Sequence, residues 1–560
     1  MNRETEQHFT QLPELHIPRS KFVKPNSHTS TFDSAELIPA YINSDILPGT
    51  TVNMKMAAVI RMLTPLYPTF GNMNLDVMWF FVPHRLIWTH WKEFWGENAS
   101  PWYPEIAYTT PQIKTDGTVN GTPVGATAKS LWDYMGLPTD VPGLSVSALP
   151  FRAYCKIWND WFKSQPLQSD LPYSMGDSDE TFDYLLTYKG GIPARANKYH
   201  DYFTSALPSL MYGNGINIPL GTMAPVYSLN ENVPDRSTVN GKTRTTLNYQ
   251  VIGTALDPTT EYSLGGLTSS NGYVISTNVL NKETDEATAT IRPNNLWTDL
   301  ANGIGPTLTA LRQAVAIDHY LEARARTGGR YVEFLRGIFG VTPADASLQR
   351  SEYLGGKRIP INIFSQVQSS STDSTSPLGT VGAFSHTADT NEYFTKSFDE
   401  HGTLMCLVCV RYEHQYQQGI PRMWSRKTPY DYYLPQFNGL SEQSILNKEL
   451  YATGTSTDEE VFGYQEYAAE YRYANSYVTG EMRSNYSTSL DAWHYADDYN
   501  ALPVLGSTWI KESESLVNRT LAVPSNTSNQ FLADFYFKPT FVMPMPIYSV
   551  PGLDTFSLLS

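Results

Sequence analysis

The chain has 560 residues, of which 17% are charged, 13% are aromatic and 36 are tyrosines, and its formal net charge is −15. An average soluble protein is about 25% charged, so we expect much of this surface to be uncharged or covered by partners. The negative total excludes a protein that wraps a phosphate backbone over its whole surface, and it leaves only local contact with nucleic acid.

The sequence also argues against membrane insertion, secretion and a disulfide scaffold. The longest apolar runs, at 77–82 and 404–410, are far shorter than the ~20 residues of a spanning helix. The first residues, MNRETEQHFTQLPELHIPRS, contain no apolar h-region, so we expect the protein to mature where it is made. The three cysteines, Cys155, Cys406 and Cys409, fit a reducing compartment.

The beginning of the chain predicts an extended arm followed by two strands. Residues 1–50 show little periodicity and end at a Pro48-Gly49 turn. The strand-like TVNMKMAAVIRML follows, then the loop TPLYPTFGN with two prolines, and then the apolar LDVMWFFVPHRLIWTHW. This order predicts strand, loop and strand over 51–95.

The second of these strands carries apolar residues at both parities, which predicts that it is covered on both faces. Trp79 and Phe81 point to one face, and Phe80 points to the other. The aromatic residues that follow have the spacing of one face of a short helix. They are Trp88, Trp91, Phe94 and Trp95.

The middle of the chain changes in composition. From 213 to 295 it is rich in Gly, Asn, Thr and Ser, with turn dipeptides and short alternating runs. A connection of this length predicts an inserted, β-rich subdomain on the outside of the molecule. After it, the spacing of Leu308, Leu311, Val315 and Leu321 predicts one amphipathic helix that ends at Gly328-Gly329.

Two late segments are again strand-like, at 402–417 and 530–550. The second is interrupted by Pro539, Pro544 and Pro546, so its distal part is predicted to be an edge strand or an arm. Strands therefore come from both ends of the chain, with helices and long loops between them. This distribution predicts a β-sandwich with enlarged loops.

Motifs for catalysis or metal binding are weak. Cys406 and Cys409 would point to opposite faces of a strand and have no second pair of ligands nearby, which predicts core positions. The segment EYLGGKRIP at 352–360 lacks the first glycine of a phosphate loop and is interpreted as a turn. Adjacent carboxylates such as Glu459-Glu460 point apart on most backbones. We therefore predict no catalytic, cofactor-binding or metal site, and a glycosidase remains the alternative.

The tyrosine-dense segment 463–499 is the strongest candidate for a binding surface. Its tyrosines could stack sugars or bases, or they could pack at a protein interface, where tyrosine is enriched. The composition favours the interface. The tyrosines concerned are Tyr464, Tyr467, Tyr471, Tyr473 and Tyr477.

Several long stretches carry a resemblance to one protein family. They are TTVNMKMAAVIRMLTPLYPTFGNMNLDVMWFFVPHRLIW, RYVEFLRGIFGV with LQRSEYLGGKRIPIN, YEHQYQQGIPRMWSRKTPYDYYLPQF, and GYQEYAAEYRYANSYVTGEMRSNYSTSLDAWHYADDY. With these stretches the chain resembles the major capsid proteins of microviruses (Microviridae), the small icosahedral single-stranded DNA bacteriophages, and within them the gokushovirus-like group. The resemblance covers the first quarter and most of the second half of the chain, and it is absent from 213–295.

The resemblance implies a mainly β fold, an eight-stranded antiparallel jelly roll with long loop insertions and a few short helices. It also implies that about sixty copies close a T=1 shell, with no enzymatic activity and no cofactor. The aromatic residues singled out above would then lie in the core or between subunits. They are Trp79, Phe80, Phe81, Trp88, Trp91, Trp95, Tyr467, Tyr471 and Tyr473.

The implied partners are further copies of the chain, single-stranded DNA on the inner surface, a host surface receptor, and small internal DNA-binding or scaffolding proteins. Arg19, Lys21 and Lys24 lie in a stretch without acidic residues from Leu15 to Phe32 and are the candidate DNA contacts. Assembly is expected in the cytoplasm of a bacterial host, and the final location is the virion.

Four regions are expected along the chain: an arm (1–50), the first part of the jelly roll with helical loops (51–212), a variable surface insertion near the three-fold axes (213–295), and the remaining jelly roll with interface loops and a C-terminal strand or arm (296–560). Two alternatives come from other classes, a lectin-like jelly roll and a glycoside hydrolase. Uniform particles in negative-stain images would separate the capsid prediction from both.

Overall fold

The computed structural model describes residues 18–97, 107–115, 125–210, 308–327, 331–340, 349–372, 374, 377–439 and 442–548, together with the backbone of short strands within 118–123 and 226–298. The chain divides into two compact units. One unit is Met1–Leu210 with Arg324–Ser560, and the other is Met211–Ala323.

Two antiparallel sheets form a sandwich in the first unit. Their strands are β1 (Ser20–Val23), β2 (Asn26–Phe32), β3 (Ile38–Ile46), β4 (Thr50–Met62), β5 (Met73–Pro83), β6 (Glu352–Pro360), β7 (Thr387–Phe398), β8 (Gly402–Tyr412), β9 (Phe531–Phe537) and β10 (Thr540–Met543). In the six-stranded sheet, the long β4 pairs with β7 along one side and with β9 and β10 along the other, and β2 and β1 pair with β9 and β10. The four-stranded sheet has the order β6-β5-β8-β3.

The sequence pattern of each central strand explains how it is buried. In β4 every second side chain is buried, from Val52 to Met62, so this strand packs one face on the core. In β5 both faces are buried: Trp79 and Phe81 join the core between the sheets, and Phe80 joins a second core on the other side. The prediction that this strand is covered on both faces is confirmed.

Helices and loops form the second core against the four-stranded sheet. The α-helices of the described residues are α1 (Trp91–Phe94), α2 (Leu131–Tyr134), α3 (Leu149–Ile157), α4 (Leu308–Thr327), α5 (Tyr331–Phe339), α6 (Asn447–Leu450) and α7 (Ser515–Thr520). Of these, α3 carries Pro150 in its first turn, where the missing N–H costs no helical hydrogen bond. Its buried residues, such as Phe151 and Tyr154, pack with Leu407 and Cys409 of β8.

Short strands complete the described structure, all of them antiparallel pairs except two parallel ones. In the first unit they are Gln112–Lys114 with Ser145–Ser147 and, in parallel, Glu180–Thr181; Thr118–Val119 with Thr122–Pro123; Ile363–Val367 with Val381–Ser385; Gln415–Tyr416 with, in parallel, Ala496–Asp497; and Gln443–Leu446 with Val461–Gln465. In the second unit they are Val226–Ser228 with Leu296–Thr298, Asn248–Ile252 with Tyr262–Ser263 and Thr290–Pro293, and Gly266–Ser269 with Gly272–Ile275.

The mainly β sandwich is confirmed, whereas the jelly-roll count of eight strands stays a prediction. The helix predicted after 308 is confirmed and ends at Thr327, before the two glycines. The predicted core positions of the cysteines are also confirmed, because Cys406 lies in the core between the sheets and Cys409 in the core on the opposite face. Within the described residues, no helix is long and apolar enough to cross a membrane.

Two predictions about local structure are wrong. The segment 352–360 is the strand β6 and is not a turn. Its two glycines relieve crowding: the register against β5 shifts at Gly355, whose φ is +148°, and a Cβ on Gly356 would lie 2.5 Å from the Val77 carbonyl oxygen. The tryptophan helix is shorter than predicted, because Trp88 precedes α1 and only 91–94 are helical.

Candidate interaction surfaces

The three predicted DNA contacts lie together at the edge of the six-stranded sheet. Lys21 is in the edge strand β1, and Arg19 and Lys24 flank that strand. The Arg19 guanidinium donates a hydrogen bond to Thr51 Oγ1 at 3.1 Å, and the Lys24 Nζ atom lies 5.0 Å from the centre of the Phe541 ring. All three cationic side chains are exposed. The structure therefore gathers them at one edge, accessible to a polyanion.

The six-stranded sheet buries one face in the core, and we call its other side, formed by the side chains that point away from the core, the open face. These side chains are exposed or half-buried, and many are small hydroxyl residues such as Thr29 and Thr395. Lys55 pairs with Glu392 at 3.0 Å, and hydrogen bonds from Asn53 and Lys55 hold the pKa of Glu392 below its usual range. The charged residues of the open face are Arg19, Lys21, Lys55, Arg61, Lys538, Glu392 and Asp534.

Four of the predicted aromatic residues lie in the cores of the chain itself. Trp79 is fully buried, with its ring centre 5.9 Å from that of Phe537 in an edge-on contact. The ring centre of Phe81 lies 4.3 Å from that of Phe398. Phe80 packs on the other face of the same sheet, and Trp88 donates from Nε1 to Asp177 at 2.6 Å. These residues therefore stabilise the subunit and are not available to contact another copy.

The other two predicted tryptophans lie nearer the surface. Trp91 is half-buried, and its ring centre is 4.6 Å from that of His84. Trp95 is 60% exposed and stacks on His401 at 4.7 Å. Burial, with a smaller contribution from the nearby His401, lowers the pKa of His84 to about 4, so this imidazole is neutral at ordinary pH. The cluster is a partly apolar patch with uncharged histidines.

Residues 421–439 and 466–477 together present a larger set of exposed rings. The Arg426 guanidinium lies between two of them, 5.2 Å from the ring centre of Tyr432 and 4.5 Å from that of Tyr471. The Tyr471 hydroxyl accepts a hydrogen bond from the Tyr433 N–H at 3.3 Å, and the hydroxyl of the half-buried Tyr467 accepts one from the Leu434 N–H at 3.3 Å. We call the exposed members the aromatic surface, and they are Trp424, Tyr430, Tyr432, Tyr433, Tyr471, Tyr473 and Tyr477.

Half-buried ion pairs lie beside the aromatic surface. Arg426 pairs with Glu470 at 3.2 Å, and Arg422 pairs with Glu449 at 3.3 Å. Burial raises the pKa of Glu449, although Arg422 and the hydrogen bond from the Tyr202 hydroxyl at 3.1 Å oppose this shift. A cleft of about 410 Å³ opens between these residues and the rings of Tyr471, Tyr473 and Tyr477. The contacts with Arg426 and with the Tyr433 N–H therefore hold the Tyr471 ring in place, which lowers the entropic cost of binding a partner through this ring.

A buried histidine lies between two carboxylates close to the tyrosine-dense segment. His414 Nδ1 is 2.9 Å from Asp497 and Nε2 is 3.1 Å from Glu512, and all three residues are buried. Burial alone lowers the pKa of His414, but the two carboxylates together raise it to about 10. This triad is isolated from solvent, and a general base must reach its substrate, so the triad stabilises the fold and has no catalytic geometry.

A second charged network, centred on the buried Asp76, joins three strands. Asp76 of β5 accepts hydrogen bonds from Arg358 Nε at 3.0 Å, from Arg411 Nε at 2.9 Å and from the Tyr199 hydroxyl at 2.9 Å. The two guanidinium groups lie on the Tyr199 ring, 4.0 and 4.3 Å from its centre. The network fixes the register of β6, β5 and β8 across the sheet.

Taken together, these contacts present surfaces suited to binding a partner. In the described residues, no group of three or more His, Cys, Asp or Glu side chains could hold a metal ion. Sequence reasoning missed Lys55, Arg61 and Lys538 on the open face, although the alternation of β4 and β9 marks such positions as exposed. It also missed the rings of Trp424 and Tyr430, which lie in a segment without periodicity.

Comparisons with known proteins agree on one family. The sequence profile described as capsid protein (F protein) of phages matches residues 10–553. The chain is similar to capsid protein VP1 of Spiroplasma virus 4, with 38% identity over 557 residues and 97% of each chain covered. It is also similar to capsid protein VP1 of Bdellovibrio phage phiMH2K, at 37% identity with 98% of each chain covered, and of Chlamydia phage 1, at 34% identity with 97% of each covered.

Proposed function

Because the chain belongs to the capsid protein (F protein) family of phages and is a structural subunit of a capsid, we propose that about sixty copies close a T=1 shell around a single-stranded DNA genome. The observation that carries this proposal is the match along nearly the whole chain, which includes both halves of the sandwich. The family match does not favour the lectin-like and glycoside hydrolase alternatives, and we propose that the subunit has no enzymatic activity.

Neighbouring subunits meet, in this proposal, at the aromatic surface. Trp424, Tyr430 and Tyr477 expose 73%, 73% and 75% of their area in the isolated chain. Interface cores are enriched in aromatic residues and Arg and depleted of Lys, and permanent interfaces can exceed ~2,000 Å². Exposed Trp and Tyr rings beside the half-buried Arg422 and Arg426 fit the composition of binding hot spots. The exposed Trp95 patch is a second, smaller contact of the same kind.

The DNA lies, in this proposal, against the N-terminal cations. Arg19, Lys21 and Lys24 are exposed at one edge of the six-stranded sheet, in a chain whose total charge is negative. Each cation placed on a phosphate releases counterions and adds a salt-dependent share of binding. Small internal DNA-binding or scaffolding proteins would assist packaging, and assembly would take place in the cytoplasm of the bacterial host.

Host attachment is assigned, in this proposal, to the insertion 213–295. Most of this segment is outside the described residues, and its support is the composition of the sequence and its difference from the resembling stretches. Loops carried on a rigid scaffold concentrate recognition. Three copies near a three-fold axis would support one another, because a segment of this size has little core of its own.

Particle formation by the purified chain tests the function. The chain is expressed, without any other viral protein, in bacteria that replicate a single-stranded DNA, and the product is examined by negative-stain microscopy and by assay of nucleic acid after nuclease treatment. Uniform closed particles with nuclease-protected single-stranded DNA are the expected result. A monomer or small oligomer would contradict self-assembly, and closed particles without protected DNA would contradict packaging by the subunit alone.

A further inference from the structure

The open face of the six-stranded sheet has a charge opposite in sign to that of the chain. In the whole sequence, 55 acidic residues exceed 40 Lys and Arg. On the open face five cations, Arg19, Lys21, Lys55, Arg61 and Lys538, face two carboxylates, Glu392 and Asp534. Asp534 accepts from Thr29 Oγ1 at 2.7 Å, and Glu392 pairs with Lys55 at 3.0 Å, so this carboxylate and this cation offset each other. The Lys55 side chain is still 53% exposed in this pair, which leaves its ammonium group accessible to a phosphate.

The cations come from distant parts of the sequence and spread across the sheet. Lys55 and Arg61 lie six residues apart on β4, which corresponds to about 20 Å along the strand. Lys538 follows β9, and its N–H bonds to the Lys55 carbonyl oxygen at 2.9 Å, so these two residues are neighbours across strands. Lys21 extends the same face at the β1 edge. The result is a basic surface wider than the cluster of Arg19, Lys21 and Lys24 alone.

An exposed ring lies among these cations. Tyr536 of β9 is 46% exposed and pairs with Ala57 of β4 on one side and Ser27 of β2 on the other. Because both neighbours are small, the faces of the ring are accessible. Ring faces stack nucleic-acid bases without regard to sequence, and a cationic surface with an interspersed aromatic residue is the usual design of a single-strand binding surface.

We propose that the open face binds single-stranded DNA, with Lys55, Arg61 and Lys538 on phosphates and Tyr536 stacked on a base. The inference rests on the proposed packaging of single-stranded DNA, and it adds residues that the N-terminal cations do not include. Charge complementarity points to a polyanion, and a second copy of the chain fits this face less well, because interface cores are depleted of Lys whereas the open face carries Lys21, Lys55 and Lys538. The many Ser and Thr side chains supply further hydrogen bonds to phosphate oxygens.

The test uses a triple variant that combines Lys55→Gln, Arg61→Gln and Lys538→Gln. The control combines Lys92→Gln, Lys427→Gln and Lys511→Gln, and it removes the same charge from exposed positions outside the open face. Dissociated subunits are titrated with a fluorescent thymidine oligonucleotide at several salt concentrations. The triple variant is expected to lower the slope of log K against log salt by about 2, because each single-strand phosphate contact contributes about 0.7. The control should leave the slope unchanged.

A second variant separates stacking from charge. Tyr536→Ser is expected to weaken oligonucleotide binding about 5- to 150-fold with an unchanged salt slope. Particles of the triple variant should still form and should retain less nuclease-protected DNA than wild-type particles. If the triple variant is poorly folded by circular dichroism, the single variant Lys538→Gln, expected to lower the slope by about 0.7, decides the question.

The outcomes distinguish the inference from the proposed function. Wild-type particles with protected DNA, together with an unchanged slope and DNA content in the triple variant, would overturn the assignment of the open face and leave packaging intact. Wild-type particles without DNA would instead overturn packaging. A triple variant that binds the oligonucleotide normally but forms no particles would show that the open face contacts a second copy of the chain, which also overturns the inference.

Discussion

Neutralising Asp76 should destabilise the subunit more than any exposed charge change in the same sheet. The Asp76 side chain is 6% exposed and is hydrogen-bonded to Arg411, which is 14% exposed, and to Arg358. The guanidinium groups of Arg358 and Arg411 both lie on the Tyr199 ring. In Asp76→Asn the neutral amide cannot balance their positive charge, so Arg411 is left buried without a negative partner. Breaking a buried, hydrogen-bonded pair in this way costs about 3–5 kcal/mol.

The assay is urea unfolding of unassembled subunits followed by tryptophan fluorescence, with the free energy of unfolding taken from the midpoint and slope. Asp389→Asn is the matched control, because its partner Lys357 is adjacent to Arg358 in β6 and the pair, at 2.7 Å, is only partly buried. The control should cost less than about 1 kcal/mol. A loss below about 1 kcal/mol for Asp76→Asn would refute the view that this network holds β6, β5 and β8 together.

Three further predictions follow from the core, the buried histidine and the insertion. Phe80→Ala and Phe81→Ala should each cost about 3–5 kcal/mol and give insoluble or unassembled subunits, because each ring fills a different core; normal particles from either would contradict burial on both faces. Burial lowers the pKa of His414, but Asp497 and Glu512 outweigh burial and raise this pKa from 6.5 to about 10. The protonated His414 therefore contributes its full stabilisation below pH 6.5, and this stabilisation is lost as the pH rises to about 10. Urea midpoints over this interval should therefore fall more for the wild type than for His414→Gln, and parallel curves would refute the assignment. Replacing 220–285 with a short Gly/Ser linker should leave assembly intact and reduce host attachment; lost assembly would instead indicate a structural clamp.

The strands near both ends of the chain could be predicted because their hydrophobic patterns are local. The alternation in β4 and the two-sided burial of β5 can be read from side-chain parity, and the same parity placed Cys406 and Cys409 in different cores. The strand β6 could not be found in this way, because its glycines look like a turn. Gly356 is needed for the close approach to Val77, and the register shifts at Gly355, and both features depend on the pairing of β6 with β5.

The candidate surfaces were only partly predictable. The N-terminal cations and the tyrosines Tyr471 and Tyr473 stand out by composition, whereas Lys55 and Lys538 become neighbours only through the pairing of β4 with the end of β9. The Asp76 network likewise joins residues more than 250 positions apart in sequence. The register between strands that are distant in sequence depends on how the whole core packs, and a short stretch of sequence does not reveal that packing.

A cryo-EM reconstruction of purified particles would show whether the chain builds a capsid through its aromatic surface. The expected result is a closed icosahedral shell of about sixty subunits in which the aromatic surface of each copy is buried against a neighbour. Open or non-uniform assemblies, or a closed shell in which Trp424, Tyr430 and Tyr477 all face solvent, would contradict it.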